Sequence, residues 1–86
     1  MCSGNEINYK HSLNKRIGLF LRKNRLNADL TGKELGQLMY ISQQQISRHE
    51  TGVCNLTITQ LDNYLMVLGV SWSEFIREVI KEDCWG

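Results

Sequence analysis

Residues 31–52, TGKELGQLMYISQQQISRHETG, read as two short amphipathic helices joined by a tight turn. Thr31 and Ser42 are each followed three residues later by a reciprocal partner, Glu34 and Gln45. In such a pair the hydroxyl oxygen accepts from a backbone N–H of the first turn, and the longer side chain reaches back to the cap's own N–H. Leu35, Leu38 and Met39, then Ile41 and Ile46, recur at helical spacing and are expected to point inward. Ser42, Gln43, Gln44, Gln45, Ser47 and Arg48 are left as a polar face at the start of the second helix.

Working outward, the pattern predicts five helices and no strand, an all-α chain. The first covers about 12–27, with Leu13, Ile17, Phe20 and Leu21 on one face and Lys15, Arg16, Arg22 and Lys23 mostly off it. The second and third cover about 32–39 and 43–50, the latter closed by Gly52. Thr57 with Gln60 opens a fourth at about 58–68, striped by Ile58, Leu61, Tyr64, Leu65 and Leu68 and stopped by Gly69. Ser71 with Glu74 opens a fifth at about 72–81, where Phe75, Ile76, Val79 and Ile80 are apolar. The expected organisation is a flexible segment over 1–11, one domain over 12–82 with the two-helix unit at 31–51, and a tail over 83–86.

Eighty-six residues make one small domain whose core gains from a partner subunit. The apolar share of 42% suits a globular chain. No run is apolar enough for a membrane span, and MCSGNEINYKH has no secretory core, so a cytoplasmic protein is expected. Cys2, Cys54 and Cys84 are far apart and read as reduced thiols; no metal or cofactor is expected. The formal charge is only +1, but residues 1–50 hold eight Lys/Arg against four acids, and residues 51–86 hold two against five. That asymmetry fits a phosphate-facing surface and fits a mixed solvated surface equally well. Nucleophile, P-loop and zinc-protease motifs are absent, so no catalysis is expected. His49 falls where a core or boundary residue belongs, and with Cys54 it makes a poor metal pair.

The chain resembles the Cro/C1-type helix-turn-helix family. The resemblance rests on Ile17-Gly18, Leu21-Arg22 and Arg25; on Leu30-Thr31 and Glu34-Leu35; on Ile41 through Arg48 with Glu50 and Gly52; and on Leu68-Gly69-Val70-Ser71. It runs from about residue 17 to residue 76. Within the family, LTGKEL followed by SQQQISR is most similar to the MrpJ-type regulators encoded beside bacterial fimbrial operons, which control fimbrial genes and repress flagellar ones. The resemblance implies a lambda-repressor-like five-helix domain whose third helix enters the major groove of double-stranded DNA. It places Gln43 and Gln44 at the principal base contacts, with Ser47 and Arg48 one turn further. A glutamine amide can meet adenine at N6 and N7 together, and an arginine can fork onto guanine O6 and N7. It also suggests Thr31, Lys33, Ser42 and Asn55 as phosphate contacts and Arg25 with Glu50 as a structural ion pair, the alternative being Arg25 on a phosphate, which would leave Glu50 without its partner. Lys15, Arg16, Arg22 and Lys23 are either steering charges or a solvated face.

Three positions depart from the family pattern. Gly32 stands where a phosphate-touching glutamine is common, Gly36 where an alanine faces the third helix, and Tyr40 where the turn has glycine. If that turn needs a positive φ, Tyr40 is strained there. Domains of this size usually dimerise to read half-sites about 34–36 Å apart. Trp72, Ile76, Val79 and Ile80 are the candidate interface, the alternative being that this segment only closes the monomer core. No effector pocket is marked. The competing function is a protein-binding module, an antitoxin or an antagonist of another regulator, built on the same fold.

Overall fold

Hydroxyl side chains start four of the five α-helices among the described residues. The computed structural model describes the backbone of residues 2–81 and the side chains of residues 13–80. Helix α1 is Cys2–Asn27, α2 Gly32–Met39, α3 Gln43–Thr51, α4 Ile58–Leu68 and α5 Trp72–Phe75, the last continuing into a π-helical segment, Ile76–Lys81. Thr31, Ser42, Thr57 and Ser71 each accept from the backbone N–H three residues on, at 3.0–3.1 Å. The backbone N–H groups of Thr31 and Thr57 also donate to the Glu34 and Gln60 side-chain oxygens, which completes their boxes. Around Ser42 only the forward bond forms, because the Gln45 side chain turns to His49 instead. Among the described residues there is no strand, and no helix is long and apolar enough to cross a membrane.

Two boundaries differ from expectation. The segment over 1–11, expected to be flexible, is helical from Cys2 onward, so α1 begins ten residues before Ser12. No proline interrupts that stretch, and its polar residues carry no apolar periodicity that would mark a helix. The tail over 83–86 lies outside the described residues. The C-terminal helix changes to i→i+5 bonding after Phe75. Residues four and five apart then share a face, so Phe75 and Val79 are buried and Ile80 packs on the core beside them.

The core is Phe20 and Leu21 of α1, Leu35 of α2, Ile46 of α3, Leu61, Tyr64 and Leu65 of α4, with Phe75 and Val79. Phe20 meets Phe75 edge to face, with centroids 5.3 Å apart, and this ring pair holds the C-terminal segment on α1. Leu38 and Ile58, expected inward, are exposed. Val79, grouped with the candidate dimer surface, is 2% exposed and belongs to the core of the chain itself. Trp72 and Ile76 remain on the surface, and Ile80 is half-buried.

Close backbone contact fixes the position of α3. A methyl group at Gly18 of α1 would run into the carbonyls of Glu50 and His49, and one at Gly36 of α2 would lie 2.7 Å from the Ile41 carbonyl. These two glycines let α3 sit against both of its neighbours.

Candidate nucleic-acid interface

Helix α3 has two chemically distinct sides. Ile46, His49 and Glu50 are buried, whereas Gln43, Gln44, Ser47 and Arg48 are exposed and lie on one outward face. All four expected base contacts therefore share a surface. Its donors and acceptors (two amides, a hydroxyl and a guanidinium) are the groups that pair with base edges.

The buried side is held by one ion pair. Arg25 Nε donates to Glu50 Oε2 at 2.6 Å and its second terminal nitrogen donates to Oε1 at 3.1 Å, a forked contact. The remaining terminal nitrogen donates to the Leu30 carbonyl at 2.8 Å. The side chains of Arg25 and Glu50 are 13% and 6% exposed. One guanidinium thus ties the end of α1, the turn into α2 and the end of α3 together. Hydrogen bonding to Glu50 raises the Arg25 pKa above its ordinary value, against the opposing pull of burial. Arg25 has little left to offer a phosphate.

His49 is a second polar group on the buried side. Its Nδ1 lies 2.6 Å from the Tyr64 hydroxyl and its Nε2 lies 3.3 Å from the Gln45 amide nitrogen. Burial lowers the His49 pKa from 6.5. Burial, with the Glu50 charge adding to it, raises that of Tyr64, so both groups are neutral near pH 7.

The expected phosphate contacts fall into two places. A side chain at Gly32 would begin 3.6 Å from Gln43, so the first turns of α2 and α3 lie side by side with their positive dipole ends adjoining. Thr31, Lys33 and Ser42 belong to this end, and Lys33 is exposed. The Thr31 N–H is occupied by Glu34 at 2.9 Å, so Thr31 has only its hydroxyl hydrogen to donate outward. Asn55 stands beyond the other end of α3, where its Oδ1 accepts from Asn14 of α1 at 2.6 Å. The backbone N–H groups of Gly52 and Val53 close the C-terminus of α3 by bonding to His49 and Arg48 carbonyls.

Arg22 was expected only as a steering charge or as part of a solvated face. It lines a cleft with Gly32, Gln43 and Ser47, beside the outward face of α3. Its spacing from Arg25, one helical turn, was the available signal. The missing side chain at Gly32 leaves this cleft open.

Tyr40 adopts φ 59° and ψ 37°, the left-handed region that glycine enters freely. It is 94% exposed.

A helical domain in which two capped helices meet at a left-handed turn, the second showing a polar face to solvent, is a helix-turn-helix protein. A family model described as helix-turn-helix matches residues 21–75. The chain belongs to this family, of Cro/C1 type, and is by class a DNA-binding transcription regulator. No curated protein and no solved structure matches it.

Proposed function

We propose that the protein is a sequence-specific regulator that binds promoter DNA as a homodimer in the cytoplasm. In this reading the first turns of α3 enter the major groove. Gln43, Gln44, Ser47 and Arg48 meet base edges, while Thr31, Lys33 and Ser42, with Asn55 at the far end, meet phosphates. The observation that carries it is the exposed polar face of α3, backed by a forked Arg25–Glu50 pair that sets the angle of the helix. Each bidentate base contact contributes about 1–3 kcal/mol of discrimination. Arg22 joins the phosphate set from the cleft beside Gly32. Such contacts position the protein without reading sequence.

The similarity of LTGKEL and SQQQISR to MrpJ-type regulators supports a narrower reading: control of fimbrial genes and repression of flagellar motility genes. For the dimer, Trp72 and Ile76 supply exposed apolar surface on the C-terminal segment, with Ile80 at its margin. Genome-wide footprinting of the wild type beside a Gln43→Ala/Gln44→Ala variant tests the assignment. Discrete sites with a twofold motif at fimbrial and flagellar promoters, lost in the variant, are expected. A folded wild type with no discrete sites would direct the search to a protein partner.

A further inference from the structure

Gln45 follows directly on two residues assigned to bases, yet its side chain behaves differently from theirs. It is half-buried, whereas Gln43 and Gln44 are exposed. It also departs from the residues in the same position of α2 and α4. Glu34 and Gln60, third in α2 and α4, return to their caps at 2.9 and 3.1 Å. Gln45, third in α3, runs one turn along the helix to His49.

The chain of contacts continues inward. His49 is 1% exposed and Tyr64, on α4, is fully buried. A neutral imidazole carrying its hydrogen on Nδ1 satisfies both neighbours: Nδ1–H donates to the Tyr64 oxygen and Nε2 accepts from the Gln45 amide. Tyr64 also packs against the ring edge to face, with centroids 5.6 Å apart. A residue fixed in the core therefore reaches out to the surface turn that carries the candidate base contacts.

We propose that His49 is a positioning residue that withdraws Gln45 from the groove and so leaves Gln43 and Gln44 as the amides that read DNA. This rests on the reading of α3 as the recognition helix. Three adjacent glutamines are otherwise three competing amides, each able to pair with adenine. Anchoring the third one removes its alternatives and defines one pattern of contacts.

The test is sequence selection from random duplexes, with thermal melts run alongside. In His49→Asn the side chain ends near Nδ1, keeping the Tyr64 partner and releasing Gln45; in His49→Gln it reaches toward Nε2 and keeps Gln45. Altered base preference in His49→Asn, unaltered preference in His49→Gln, and return to the wild-type motif in His49→Asn/Gln45→Ala are expected. A purely structural role would weaken binding to all sequences and show no dependence on Gln45. The wild-type motif in a folded His49→Asn, or the same altered motif with and without Gln45, overturns the proposal. Should His49→Asn fail to fold, proton contacts of the Gln45 amide in the wild-type complex decide. Contacts to the His49 ring support the proposal, and contacts to base protons overturn it. A wild type that selects no motif overturns the reading of α3 itself, and this inference with it.

Discussion

Arg25 and Glu50 show most directly what a single residue contributes here. The fork between them is nearly buried, so removing one partner strands the other charge. Glu50→Ala is expected to cost about 3–5 kcal/mol. A melt should record it as a drop of roughly 4–8 °C per kcal/mol, while a loss under 1 kcal/mol would show the pair to be solvated. The Arg25–Glu50 pairing was legible in the sequence, because matching residues occur at matching positions of the family. The Gln45–His49–Tyr64 chain was not, since a capping pattern gives no sign that the glutamine has a better partner four residues on. His49 also carries a pH dependence. Its pKa is lower folded than unfolded, so the unfolded chain binds the proton more tightly. The stability it contributes is present above its ordinary value of 6.5 and is lost as pH falls below that toward the folded value. Melting temperature should therefore fall on acidification below pH 6.5. His49→Gln should flatten that part of the profile; an unchanged profile would place the titration elsewhere.

At the scale of elements, caps carried the most information. The boundaries of α2 and α4 follow from Thr31, Gly69 and their partners, and α3 from Ser42 and Gly52. The start of α1 was not legible, since residues 2–12 carry no apolar periodicity that would mark a helix. The π-helical segment was not legible either, because apolar spacing does not report which carbonyl each N–H selects. The turn between α2 and α3 reverses one sequence argument. By helix propensity alone, alanine in place of Gly36 would gain about 1 kcal/mol. A methyl group there meets the Ile41 carbonyl, so Gly36→Ala is expected to lower the melting temperature. A rise would show that α2 and α3 can separate without cost. Tyr40 pays for its left-handed backbone with no packing in return. Tyr40→Gly should add about 1 kcal/mol of stability, read in the same melts.

For the whole molecule, the π-helical segment divides the C-terminal apolar residues between two tasks. Val79 closes the core and cannot also face a partner, whereas Ile76 is 48% exposed. In the homodimer reading, Ile76→Glu should shift sedimentation toward monomer without lowering the monomer's melting temperature. Val79→Ala should destabilise the fold itself. If Ile76→Glu sediments like the wild type, the second subunit docks elsewhere. The fold class was legible because caps, stripes and family motif agree; the interface was not, because exposure depends on helical register.

The central claim is that the outward face of α3 reads sequence while other residues hold the backbone. The most direct measurement is the affinity of the wild type and of Gln43→Ala/Gln44→Ala for a selected duplex and a scrambled one, across a salt series. The wild type should prefer the selected duplex, and its affinity should fall steeply with salt. The variant should keep the salt slope and lose the preference, because phosphate contacts survive where base contacts do not. A folded variant that still prefers the selected duplex as strongly as the wild type would contradict the account.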